Sequence, residues 1–256
     1  AGTADRASDG CIIAQSNDEI ARRAKVIGLS LPTIETNRQV VREIAKAGAA
    51  GTVVVDTCTI GIEAAKLNAQ IWNEVGIQYL DSPVSGLKFR AEEGALVSMV
   101  SGPASELKKA RRLLEGYSRA VVHVGTEPGQ GQRMKVLNNA ICIASYVISS
   151  EALTYGEAGG LKVGEMLEVI NESSGQNFAT KFLFPKYVAT EQYDASGAEA
   201  HIIEKDISLF VDGADSEGTP SKAITAAYDI VKAFNDADPL QDQMNIYPYV
   251  RGLHKD

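Results

Sequence analysis

The chain has 256 residues, 45% hydrophobic and 23% charged, enough for one large or two modest domains with a substantial core. Its net charge of -8 lacks the basic footprint that nucleic acid or an anionic membrane surface requires, so neither partner is expected. No unbroken apolar run reaches membrane-spanning length and no basic segment precedes an apolar one at the start, which predicts a soluble, cytoplasmic protein.

In chain order, CIIAQ (11–15) reads as a short strand and SNDEIARRA (16–24) as a helix opened by a capping box of Ser16 with Glu19. Residues 25–31 form a strand and Pro32-Thr33 opens a helix to about Ala47. TVVVD (52–56) is a strand, 59–75 a helix, and GIQYLDSPV (76–84) the next strand. Short, near-continuously apolar strands alternating with helices predict parallel strands buried on both faces, a doubly wound α/β sheet. In such sheets cofactors bind beyond the carboxyl ends of the strands, here Leu31-Pro32, Asp56 to Thr59 and Pro83 to Gly86. Each of these could equally be an ordinary strand-to-helix turn.

Beyond Gly86, residues 95–102 and 120–125 read as strands flanking a helix at 105–117. A long helix then runs to Gly159-Gly160, with Thr126 as its expected N-cap and Pro128 in its first turn. Met134, Leu137, Ile141, Ala144, Ile148 and Ala152 recur at helical spacing, and Val136, Ile143 and Val147 widen this stripe. Past it, segments 163–172, 177–189, 198–214, 220–235 and 240–250 have helical periodicity. The domains are therefore placed at 1–126, α/β, and 127–256, helical and including the long helix.

Lys135, Asn138 and Asn139 fall at i, i+3 and i+4 and share one helix face. An ammonium beside two amides can exchange a proton and hold a hydroxyl or carbonyl oxygen, as acid-base chemistry on an alcohol requires. The alternative is a solvated helix edge. Cys11, Cys58 and Cys142 are odd in number and set among apolar residues, which suits reduced core thiols. His123, His201 and His254 are too scattered to suggest a metal. Gly129-x-Gly131 lacks the third glycine of a dinucleotide fingerprint, since Met134 stands in its place.

Three stretches together, DSPVSGLKFRAEEGAL (81–96), GQGQRMKVLNN (129–139) and EKDISL (204–209), resemble the β-hydroxyacid dehydrogenase family, relatives of 3-hydroxyisobutyrate dehydrogenase, tartronate semialdehyde reductase and 6-phosphogluconate dehydrogenase. The resemblance implies a Rossmann domain binding NAD or NADP, a long interdomain helix, and a helical domain that closes the cleft. It implies that Lys135 is the catalytic general acid and base and that Asn138 and Asn139 position the substrate. Ser85-Gly86 would hold the substrate carboxylate, Leu31, Pro32 and Thr59 would line the nucleotide site, and Lys205 would close over the cofactor. The expected reaction interconverts a small β-hydroxyacid and its semialdehyde or keto acid, in a homodimer or homotetramer. A free lysine, with pKa about 10.4, is a poor base at neutral pH, so the apolar site must lower it by desolvation. A catalytically weak nucleotide-binding or oligomerising scaffold is the alternative.

Two departures from the family pattern stand out. The opening strand, GxGxxG turn, helix and second strand do not occur, so the chain is expected to begin roughly thirty to forty residues late, leaving the sheet without its first βαβ unit. Secondly, Ser85-Gly86 is followed by Leu87 where the family has glycine, which strains leucine if the position needs positive φ. Lys88 and Arg90 close by suggest a hold on a second anionic group of a larger hydroxyacid, against the alternative of solvated surface charge.

Overall fold

The computed structural model describes residues 10–253, so His254 lies outside the described residues. The chain divides into two compact units between Lys135 and Val136.

In the first unit, α1 (Asn17–Arg23) is capped by Ser16, whose hydroxyl accepts from Glu19 N. The Glu19 carboxylate in turn accepts from Gln15 N rather than from the cap residue. There follow β1 (Val26–Leu29), α2 (Ile34–Ala47), β2 (Val53–Asp56), α3 (Ile62–Glu74), β3 (Gln78–Asp81), β4 (Val84–Ser85), α4 (Leu87–Glu92), β5 (Leu96–Ser101), α5 (Ala104–Glu115) and β6 (Ser118–Gly125). Residues 11–14 form no strand, and Cys11 is exposed rather than in a core. Cys58 is buried and Cys142 half-buried.

The sheet runs β1-β2-β3-β5, and β5 also pairs with β4 and β6. β1, β2 and β3 are parallel, as is β5 with β6, but β3 and β4 meet β5 antiparallel. The expected parallel strands are β1, β2 and β3, and the antiparallel pairing enters only at β5, which makes the sheet mixed. Residues 81–85 run on in one direction with a two-residue break, and the chain then reverses through α4 so that β5 lies antiparallel to them. Alternation on the strands splits the core in two. Ile27, Leu29, Val54 and Tyr79 pack with Val41, Ile44 and Trp72 on one side of the sheet. Val53, Val55, Leu80 and Val100 pack with Leu107, Ala110 and Leu114 of α5 on the other. Each fully buried side chain of this size stabilises by about 1.5–3 kcal/mol, which is why the strands read as unbroken apolar runs.

The long helix, α6, spans Gln130–Ala158. It stops as expected, with Gly159 N bonded to Tyr155 O and Gly160 at φ 85. Its start differs. Thr126 and Pro128 lie before the first helical residue, and Thr126 Oγ1 donates to Glu127 instead. Of the apolar residues at helical spacing, Val136, Ile143 and Val147 are buried together with Ala140 and Leu153, whereas Ile141 and Ile148 are 62% and 57% exposed. A helix apolar all round carries no sequence signal for which side is covered. By length and composition α6 could cross a membrane, but half of its most apolar window is buried within the protein, as in a core helix.

The second unit is helical: α7 (Val163–Asn171), a π-helical turn (Ala179–Leu183), α8 (Phe184–Tyr187), α9 (Ala200–Glu217), α10 (Lys222–Ala237), a 3-10 turn (Gln243–Asn245) and α11 (Ile246–Gly252). Its core holds Leu153, Leu167, Phe184, Ile207, Val231, Phe234 and Tyr247, with Phe184 and Tyr247 edge to face at 6.1 Å.

Candidate active site

At the carboxyl edge of the sheet, the ends of β1 and β2 are laced together. Thr57 N and Oγ1 both donate to Leu29 O, and Leu31 N donates to Cys58 Sγ at 3.1 Å. This lacing brings Leu31, Pro32 and Thr59 onto one rim. An apolar pair and a hydroxyl beyond parallel strand ends suit the ring and ribose of a dinucleotide, so these residues fit that cofactor. Beneath the rim, Asp56 is buried and accepts from Asn37 Nδ2, Cys58 N and Tyr79 OH. Burial raises its pKa. Burial, with Asp56 adjacent, pushes the Cys58 thiol up to about 12, which leaves it protonated and unreactive.

Ser85 and Gly86 lie where β4 turns into α4. Gly86 has φ 149, and a Cβ there would stand 2.8 Å from Leu96 Cδ2 and 2.9 Å from Arg90 Cβ, so only glycine fits. Leu87 follows at φ 61, in the left-handed region that costs a leucine about 1–2 kcal/mol. The conditional expectation of strain at position 87 is thus met.

The start of α6 reaches the same edge. Gly131 packs so closely that a Cβ would lie 2.7 Å from Met99 O and 2.8 Å from both Asp81 O and Asp81 Oδ2. Gly131 N donates to Ser101 Oγ at 3.0 Å, and Gln132 N to Asp81 Oδ2 at 2.9 Å. These are the bonds a local N-cap would supply, delivered here from β5 and β3. The buried Gln132 side chain completes the junction. Its Nε2 donates to Asp81 Oδ1 at 2.7 Å and to Cys58 O at 2.9 Å, while Oε1 accepts from Ile60 N and Gly61 N at 2.9 and 3.1 Å. Burial pushes the Asp81 carboxyl up to about 6, although its bonds from Gln132 favour the charged form.

Lys135 stands one turn after Gln132 and is only 9% exposed, so it is no solvated helix edge. In the second unit, Asn139 Nδ2 donates to Asp206 Oδ2 at 2.6 Å and accepts on Oδ1 from Asn138 Nδ2 at 3.2 Å. Lys205 Nζ donates to Asp206 Oδ1. One carboxylate therefore gathers Asn139 and Lys205, although they are distant in sequence. The first unit brings together the segments of Leu31, Pro32, Thr59, Ser85, Gly86 and Lys135. Sequence reasoning misses Asp81, Gln132 and Asp206. All three sit inside the motifs already noted, and that adjacency is the one available signal.

The fold and rim are those of a dinucleotide-dependent oxidoreductase, and comparison with known proteins narrows the class. Residues 1–125 match the family model described as the NAD binding domain of 6-phosphogluconate dehydrogenase. Residues 129–250 match that described as NAD-binding of NADP-dependent 3-hydroxyisobutyrate dehydrogenase. The chain is 30% identical over 222 residues to 2-(hydroxymethyl)glutarate dehydrogenase of Eubacterium barkeri, covering 86% of this chain and 73% of that one. It is 29% identical over 233 residues to a probable 3-hydroxyisobutyrate dehydrogenase of Mycobacterium bovis, covering 89% and 79%. The solved structure of Mycobacterium tuberculosis 3-hydroxyisobutyrate dehydrogenase with L-serine superposes with a TM-score of 0.87 at 26% identity, over 97% of this chain and 87% of that chain. The chain belongs to the β-hydroxyacid dehydrogenase family, whose cofactor is NAD or NADP.

Proposed function

We propose that the protein interconverts a short β-hydroxyacid and its semialdehyde or keto acid, with Lys135 as the group that takes and returns the hydroxyl proton. The observation that carries this reading is a lysine residue only 9% exposed, on the helix turn directly after the junction of the Thr59 and Asp81 segments. A primary amine at a site largely closed to bulk water can take and return a hydroxyl proton.

Bound NAD(P) supplies the hydride acceptor. The chain's own residues do the rest. The Ser85 hydroxyl and the Gly86 backbone N–H are donors for the substrate carboxylate. The amides of Asn138 and Asn139 orient the oxygen undergoing reaction, Asn139 being held in place by Asp206. As the carbinol C–H pair departs, the O–H bond breaks toward Lys135 Nζ and the carbonyl forms. In reduction the ammonium returns the proton.

The test is Lys135→Met, with 3-hydroxyisobutyrate as probe and turnover followed by absorbance of the reduced nicotinamide. The expected result is a kcat lower by about 10²–10⁴ with cofactor binding, measured by fluorescence, within a few-fold of the parent. Undiminished turnover would sink the assignment.

A further inference from the structure

We propose that Gln132 and Asp81 are positioning residues for Lys135, fixing its amine relative to the Thr59 rim and the Ser85-Gly86 anchor. The proposal rests on the reading of Lys135 given above.

A glutamine side chain has two donor hydrogens and two acceptor sites. Gln132 uses all four while fully buried, so its conformation is over-determined. The destinations of these bonds matter more than their number. Three go to Cys58, Ile60 and Gly61, the residues flanking Thr59. The fourth goes to Asp81, at the head of the segment that runs along β5 to Ser85. The Gln132 backbone N–H is held by the same Asp81 carboxylate, and the preceding N–H by Ser101. The first turn of α6 is thereby referenced to both candidate binding segments at once.

Lys135 follows on the same helix after three residues, about 4.5 Å of rise, so movement of the first turn is passed directly to its backbone. A misplacement of about 1 Å at a reacting group can cost about 10²-fold in rate. A tie serving stability alone could lie anywhere along α6. This one lies where the lysine leaves the sheet edge.

A double-mutant cycle between Gln132→Leu and Lys135→Met tests the proposal, again with 3-hydroxyisobutyrate as probe. Gln132→Leu is expected to lower kcat about 30- to 100-fold while KM changes less than about threefold. On the Lys135→Met background it should change the residual rate by less than about twofold, because the lysine through which it acts is gone. The same fold-loss on both backgrounds would mean that Gln132 acts elsewhere, and would overturn the proposal. Full activity of Lys135→Met alone would instead remove the underlying functional reading, a separate outcome. Gln132→Leu leaves Ile60 and Gly61 N–H without their acceptor. If it does not fold, Ser101→Ala decides the matter. It withdraws one acceptor from Gly131 and one donor from Asp81, with an expected kcat loss of about three- to tenfold only when Lys135 is present. Amide hydrogen exchange over residues 130–135 should quicken in Ser101→Ala; unchanged exchange and unchanged kcat would refute the clasp.

Discussion

Gly131→Ala sets two physical rules against each other. Within a helix, alanine is favoured over glycine by up to about 1 kcal/mol, so helix propensity alone predicts a gain. At Gly131, however, the added Cβ would meet Met99 O at 2.7 Å, Asp81 O at 2.8 Å and Asp81 Oδ2 at 2.8 Å. Two of these are backbone atoms of the sheet, and the third is a carboxylate fixed by Gln132 and Ser101, so none can yield cheaply. Relief to an ordinary contact requires α6 to retreat by about 0.6 Å, which lengthens the Gly131 and Gln132 N–H bonds together. Overpacking of this kind costs about 1–3 kcal/mol, so against that gain the net effect should be a loss of about 1 kcal/mol, with kcat lowered at least about tenfold through Lys135. Gly213, inside α9, provides the control. Nothing lies within 4 Å of its Cβ direction, and Gly213→Ala should stabilise by about 0.5–1 kcal/mol. Denaturant unfolding of parent and both variants, with turnover in parallel, measures the contrast. A Gly131→Ala protein as stable and active as the parent would refute the close approach on which the site description depends.

The buried carboxylate gives a pH prediction. Asp81 stands at about 6 in the folded protein against 3.8 ordinarily, so the fold favours its protonated form. The stability this provides is fully present below about pH 4 and is lost as pH rises through 6, up to about 3 kcal/mol. Asp81→Asn cannot ionise, so the parent-minus-variant unfolding free energy should fall by about that amount between pH 4 and 7; parallel stability profiles would refute it. Substrate charge gives another. Lys88 is 80% exposed and lies 3.9 Å from Glu92, whereas the Arg90 stem packs against Gly86 and its guanidinium lies 5.7 Å from the Phe89 ring centroid. Arg90→Ala should therefore raise KM for a dicarboxylic hydroxyacid about tenfold more than for a monocarboxylic one, with Lys88→Ala within about twofold on both. Equal effects of Arg90→Ala on the two acids would rule out a hold on a second carboxylate.

What the sequence makes legible follows from the range of each signal. Val53 to Val55, with apolar neighbours on both faces, announce a buried strand through local composition, and Thr33 and Ser16 announce helix starts within four residues. Residues 81–85 mislead for the same reason. Nothing local distinguishes a strand that leads into a crossover from one that, like residues 81–85, is followed back antiparallel by β5. On α6, the spacing of Ile141 and Ile148 is rightly helical, yet both are exposed, because periodicity reports a face and not what covers it. Lys135, Asn138 and Asn139 are visible because they share one helix face. The Gln132–Asp81 contact spans 51 residues, and Asn139–Asp206 spans 67. Neither separation corresponds to any helical or strand period.

The start of α6 shows why such long-range contacts belong to the chemistry. A capping side chain on the residue just before Gln130 would satisfy the same backbone N–H groups and contribute about 1 kcal/mol without burying a charge. The structure instead buries Asp81 beside Asp56, against a penalty of up to about 3 kcal/mol above pH 6. A local cap fixes only where a helix begins along its own chain. Asp81 and Ser101, belonging to the sheet, also fix where it begins in space, and Gln132 extends that reference to the Thr59 segment. A start held only by such a local cap would be cheaper in stability, but it would leave the first turn able to slide along the sheet edge, and Lys135 would slide with it.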